Sequence, residues 1–178
     1  MPARLRALPR LLVIVGLAAA TVAAVDRWVG QVYVVEQHSM EAALREGERV
    51  IVDKLGPASQ SYRGGDIVVL EAPEALGTAG LPLVKRVVAT GGQTVDLFDG
   101  RVAVDGVALD EPYLAPGTTT RPETATDHWE VPAGSVFVLG DNRGVSVDSR
   151  TFGPVPVSSL VGRAVLVAWP PTSVRPLP

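Results

Sequence analysis

The chain has 178 residues, with 16 Lys plus Arg against 19 Asp plus Glu and a net charge of −3. At this length one domain is the default, and an acidic balance argues against nucleic acid as the main partner, since neutralising phosphates needs a basic face. Cysteine is absent, which excludes disulfides, thiolate metal sites and cysteine nucleophiles; with only His38 and His128 besides, no metal site is expected.

In chain order, Arg4, Arg6 and Arg10 precede a stretch from Leu11 to Val25 that is uncharged and mostly apolar, closed by Asp26-Arg27. As a helix this stretch spans about 22 Å, short of the roughly 30 Å hydrocarbon core. That length suits a signal-peptide hydrophobic region as well as a membrane anchor whose Arg10 and Arg27 snorkel. The basic flank places the amino terminus in the cytoplasm, and the remainder outside it in either case.

Beyond Val29, short valine-rich runs alternate with turn residues. They cover Val32 to Val35, Arg49 to Val52, Asp66 to Leu70, Leu83 to Val88, Thr94 to Phe98, Arg101 to Val104, Ser135 to Leu139 and Val161 to Trp169. This spacing predicts an all-β domain. Asp99-Gly100 between two such runs predicts a hairpin, and Asp105-Gly106 adds a second turn. Helical signal is confined to Ser39–Glu46. Glu111 to Trp129 reads as a long surface loop, and Pro170 to Pro178 as a Pro-rich tail.

Three features carry chemistry. Ser39 lies about a dozen residues past the apolar segment; on extended backbone His38 points to the opposite face and does not reach it. Arg supplies all but two of the basic residues, the exceptions being Lys54 and Lys85. Lys54 reads as an ordinary strand-end charge. Lys85 shares a strand face with Leu83 and Val87, where lost hydration favours the neutral amine, a suitable general base for a serine hydroxyl. The same pattern also suits a lysine snorkelling from a half-buried strand. The densest polar segment, Gly140-Asp141-Asn142-Arg143 through Ser146, Asp148, Ser149 and Arg150, suits either a hydrogen-bonded turn or a network that orients catalytic groups.

In their order, Ser39-Met40, the Gly47–Lys54 strand, Gly65-Asp66-Ile67-Val68-Val69, Lys85-Arg86-Val87-Val88-Ala89 with Gly91-Gly92, and Gly140–Arg150 resemble the membrane-bound type I signal peptidases, which use a Ser/Lys pair. Asp105-Gly106 with Glu111-Pro112-Tyr113-Leu114 looks like that family's hairpin region. The resemblance runs from the anchor to Val161-Gly162-Arg163-Ala164. It implies a mainly β, coiled antiparallel-sheet catalytic domain with one amino-terminal transmembrane helix. The parts would be a cytoplasmic basic segment (1–10), an anchor (11–28), an extracytoplasmic peptidase domain (29–170) and a tail (171–178).

By the same resemblance Ser39 is the nucleophile and Lys85 the base. Ser146 helps hold the lysine amine, Asp148 and Arg150 form a supporting pair, and Asp141 belongs to that network. Met40 shapes the substrate pocket, and the substrate lies extended along Leu81, Pro82, Leu83 and Val84, with small residues preferred one and three positions before the cut bond (A-x-A). The Ser39 backbone N–H is the expected oxyanion donor. Gln37 stands where many members carry a small Ser or Gly, and Ala42-Ala43-Leu44 stands where Pro-Thr-Leu is usual. Expected partners are signal-peptide-bearing preproteins and the lipid bilayer, with no nucleic acid, no cofactor and no metal. A same-fold protease dedicated to one precursor, and an inactive membrane-tethered peptide-binding module, remain as alternatives.

Overall fold

The computed structural model describes residues 16, 30–41, 43–54, 62–77 and 80–178. The expected anchor over 11–28 lies, apart from Gly16, outside the described residues. Among the described residues no helix is long and apolar enough to cross a membrane.

The valine runs form strands because branched side chains pack well on a pleated, half-buried surface. In chain order these are β1 (Gly30–Val34), β2 (Arg49–Asp53), β3 (Ile67–Glu71), β4 (Pro82–Thr90), β5 (Thr94–Phe98), β6 (Arg101–Val104), β7 (Val107–Ala108), β8 (His128–Glu130), β9 (Ser135–Leu139), β10 (Val155–Pro156), β11 (Leu160–Trp169) and β12 (Arg175–Pro176). One four-residue helix, α1 (Ser149–Phe152), interrupts them.

Eight strands make one antiparallel sheet in the order β1-β2-β11-β3-β4-β9-β10, with β12 on β11; four make a second, β7-β6-β5-β8. β3 is buried on both faces. Val68 and Leu70 join a core with Leu83, Val87, Val136 and Val138, while Ile67 and Val69 join one with Met40, Leu44, Val50 and Ala164. A third core, centred on Trp129 and Phe137 with ring centroids 5.1 Å apart, joins the small sheet to β9. At the β5–β6 turn Asp99 (φ 50°) and Gly100 (φ 74°) are both left-handed, the geometry that the Asp-Gly pair favours in tight hairpins.

The interval 111–129 is not wholly loop. β8 starts within it, because Trp129 pairs with Val95 and buries its ring in the third core. The tail likewise pairs with the large sheet, Pro176 opposite Leu166 and Arg175 opposite Val167. β4 positions the site. β3 pairs with its first half, but β9 pairs only from Arg86 onward, so among the described residues one edge of Pro82–Lys85 carries no strand.

Candidate active site

Ser39 sits in a 3-10 turn, His38–Met40, just beyond β1. The turn is anchored from below: Met40 and Leu44 are fully buried in the second core, and the Leu44 N–H donates to the Met40 carbonyl at 2.8 Å. From the side, the Asn142 N–H donates to the Ser39 carbonyl at 3.0 Å. Lys85 arrives from β4, where alternation sets it between Leu83 and Val87, and its Nζ donates to Ser39 Oγ at 2.8 Å. Only 1% of Lys85 is exposed. Burial pushes its ammonium from 10.5 down to about 8, because the charged form loses hydration. The Asp148 carboxylate opposes this shift, the Arg150 guanidinium adds to it, and Asp141 opposes it more weakly.

Two buried ion pairs hold the segment after β9. Arg86 grips Asp141 through two bonds, Nε to Oδ1 at 2.9 Å and a terminal nitrogen to Oδ2 at 2.6 Å, and also donates to the Gly65 carbonyl at 2.8 Å. Arg150 makes a fork on Asp148, at 2.8 Å and 2.9 Å, and donates to the Arg143 and Ser146 carbonyls. Asp148 also caps α1 and accepts from the Gly140 N–H at 3.0 Å. A side chain on Gly140 is excluded: its Cβ would lie 2.1 Å from Ser146 Oγ and 2.5 Å from the Ser39 carbonyl oxygen. The chain thus passes against both serines at this point.

The expected bond between Ser146 and the lysine amine is not formed. Ser146 is buried, but its Oγ faces the bare Cα of Gly140 and has no hydrogen-bond partner among the described residues. His38 stands outside the pair, exposed between Glu41 at 3.6 Å and Glu46 at 3.5 Å. His128 bonds to Asp96 on the small sheet.

Several participants lie in segments that the sequence marks without giving them a role, and Thr120 in none. Arg143, almost wholly buried, donates to Glu111 Oε1 at 2.5 Å, to the Thr120 hydroxyl and to the Gly140 carbonyl at 2.9 Å. Tyr113 lies under the Arg86 guanidinium, 3.9 Å from its ring centroid. These contacts turn the 111–123 interval into a strap over the polar network. The resemblance marks Glu111-Pro112-Tyr113-Leu114 and the Arg143 segment separately, and no periodicity indicates that the two meet.

Two clefts open at Ser39, and both are bordered by Glu36 and Gln37. One, of about 250 Å³, is walled by Val35, Met40, Leu81, Pro82 and Val84. The other, of about 560 Å³, is walled by Leu76, Leu83, Lys85, Val145 and Val147. Of the stretch expected to carry substrate, Pro82 and Val84 border the smaller cleft and Leu83 the lysine side, as strand alternation sets them, while Leu81, just before β4, also borders the smaller one.

Residues 8–169 match the family model described as signal peptidase, peptidase S26. The chain is 34% identical over 160 residues to a signal peptidase I from Leptolyngbya laminosa, covering 88% of this chain and 77% of that one. It is 34% identical over 143 residues to the chloroplast thylakoidal processing peptidase 1 of Arabidopsis thaliana, covering 76% of this chain but only 41% of that longer protein. A crystal structure of a signal peptidase I from Enterococcus faecalis is 30% identical, covering 58% of this chain and 97% of that one, with a TM-score of 0.48. Matched along nearly its whole length by the family model, the chain belongs to the signal peptidase family, peptidase S26, a family of serine endopeptidases.

Proposed function

We propose that this protein is a membrane-anchored signal peptidase that cleaves exported preproteins after small residues, with Ser39 as nucleophile and Lys85 as general base. The observation that carries this reading is the 2.8 Å contact between Lys85 Nζ and Ser39 Oγ inside a site that depresses the lysine's proton affinity. The amine takes the Ser39 proton as Oγ attacks the scissile carbonyl. The ammonium then gives that proton to the leaving nitrogen as the C–N bond breaks, leaving an acyl-serine and the free mature chain. Water next attacks the acyl group as Lys85 takes its proton; the bond from the acyl carbon to Oγ then breaks, the ammonium returns the proton to Oγ, and the signal peptide leaves as its carboxylate.

The oxyanion formed in each half needs donors in place beforehand. Ser39 N–H lies in the first turn of its 3-10 element, where backbone donors lack an intrahelical acceptor, and the Gln37 amide borders the same clefts. An extended preprotein lies along the open edge of Pro82–Lys85, with Met40 and Val84 lining the pocket for the small residue before the bond. The apolar segment Leu11–Val25 behind a basic flank supplies the anchor and puts the peptidase domain outside the cytoplasm.

The test is cleavage of a purified A-x-A preprotein by the detergent-solubilised full chain beside Ser39→Ala and Lys85→Ala. The unmodified chain cuts after the small residue, and each variant loses about 10⁴-fold or more. Cleavage of one precursor and no unrelated one would indicate a dedicated maturation protease. Retained activity in either variant would overturn the Ser/Lys assignment.

A further inference from the structure

The segment between Asn142 and Asp148 inverts the usual partition of side chains. Its polar members Ser146 and Asp148 are buried, whereas Val145 is 62% exposed and Val147 48% exposed. Both valines line the larger cleft, as do Leu83 and Leu76. An exposed apolar wall beside a reactive group is informative where a scattered surface valine is not.

Lys85 lines this cleft and not the smaller one. Under the peptidase reading, on which this inference rests, the lysine ammonium must deliver its proton to the leaving nitrogen. That nitrogen therefore departs on the side where Lys85 is reachable. We propose that the larger cleft binds the first residues after the scissile bond, and that Val145, Val147 and Leu83 select apolar side chains there. Glu36, on the rim of the same cleft, disfavours an acidic residue at these positions by like-charge repulsion. Specificity of this chain then has two independent parts: the small cleft reads the residues retained on the acyl-enzyme, and the large cleft reads the start of the released product.

The experiment uses the full chain in detergent and a set of peptides identical through an A-x-A sequence and differing only in the two residues that follow the bond. Val at those positions is expected to exceed Asp by about tenfold in kcat/KM, the low end of what one apolar group in a pocket discriminates. Joint replacement Val145→Ser with Val147→Ser brings that ratio towards one, and Glu36→Gln recovers part of the loss for Asp. A ratio near one in the unmodified chain overturns the proposal. So does a double variant that slows every peptide equally, which would assign the valines to lipid contact or to support of the loop. Cleavage of no peptide at all overturns the peptidase reading itself, and the inference with it.

Discussion

Burying the Lys85 amine between Leu83 and Val87 lowers its pKa from 10.5 to about 8, so at pH 7 roughly one molecule in ten carries the neutral amine. The same shift acts on stability. Because the folded chain binds the proton more weakly than the unfolded one, stability rises with pH between about 8 and 10.5; the favourable contribution is complete above 10.5 and lost as pH falls to about 8. Below that, holding the ammonium costs about 3 kcal/mol relative to a neutral side chain, at about 1.4 kcal/mol per pH unit. Lys85→Met, which keeps length and removes charge, is therefore expected to abolish cleavage yet raise the melting temperature at pH 7, with the gain shrinking towards pH 10.5. Thermal melts of both proteins across pH 6 to 10.5 check this; a variant less stable at pH 7 would show that the amine is not held at a cost. The acid limb of kcat/KM should fall near pH 8 for the same reason. At this scale the lysine's surroundings were legible, since period-two alternation alone set it between Leu83 and Val87. The Ser146 hydroxyl was not, because its place depends on how tightly Gly140 passes, which no local pattern encodes.

The loop from Gly140 to α1 is held by Arg86, by its own Arg150–Asp148 pair and by the strap over 111–123. Arg143 has a side chain only 1% exposed, and its partner Glu111 is 10% exposed. From that position Arg143 fixes the Gly140 carbonyl, and the next residues bond to Ser39 through the Asn142 N–H. Removing one member of a buried pair strands the other, which is why such pairs are costly to break even where forming them stabilises little. Glu111→Ala is expected to lower unfolding free energy by about 3 kcal/mol and to speed exchange of the Gly140 and Asn142 amide hydrogens. Glu111→Gln, which keeps one acceptor, loses less. Urea melts with an unchanged m-value and site-resolved exchange measure both effects; a loss below about 0.5 kcal/mol would mean that Thr120 and the Gly140 carbonyl suffice to hold Arg143. Strands were readable here and the strap was not. β5 and β6 flank an Asp-Gly turn whose backbone preference is local, whereas Glu111, Thr120 and Arg143 meet only after the chain has folded back on itself. β8 was hidden similarly, three residues long with one buried ring.

At the scale of the whole molecule, the carboxy-terminal segment returns to the back of the Ser39 turn. Arg175 on β12 donates to both oxygens of Glu48, at 2.9 Å and 3.0 Å, and to the Ala43 carbonyl, beside Leu44 and beneath Met40. Read as sequence, Pro170–Pro178 is a tail, because two residues of strand carry no periodicity and Glu48 and Ala43 lie more than a hundred positions from Arg175. Its stabilising effect should be visible in pH. The bond from Arg175 holds the Glu48 carboxyl below its ordinary 4.5, and burial opposes the shift only in part. A carboxylate depressed in the folded state contributes stability that is complete above its unfolded value and lost as pH falls through the folded one. Arg175→Ala therefore costs about 2 kcal/mol at pH 7, less than a fully buried pair because the guanidinium is over a third exposed. The difference from the unmodified protein narrows below pH 4.5 as Glu48 takes up its proton in both. Activity follows the same course: with Ala43 and Glu48 released, the support beneath Met40 loosens and Ser39 loses alignment with Lys85, so kcat falls while the lysine's pH limb stays near 8. A stability difference that stays constant from pH 7 to pH 3 would show that β12 acts through its strand pairing with β11 alone, and that the Arg175–Glu48 pair adds nothing to the support of the site.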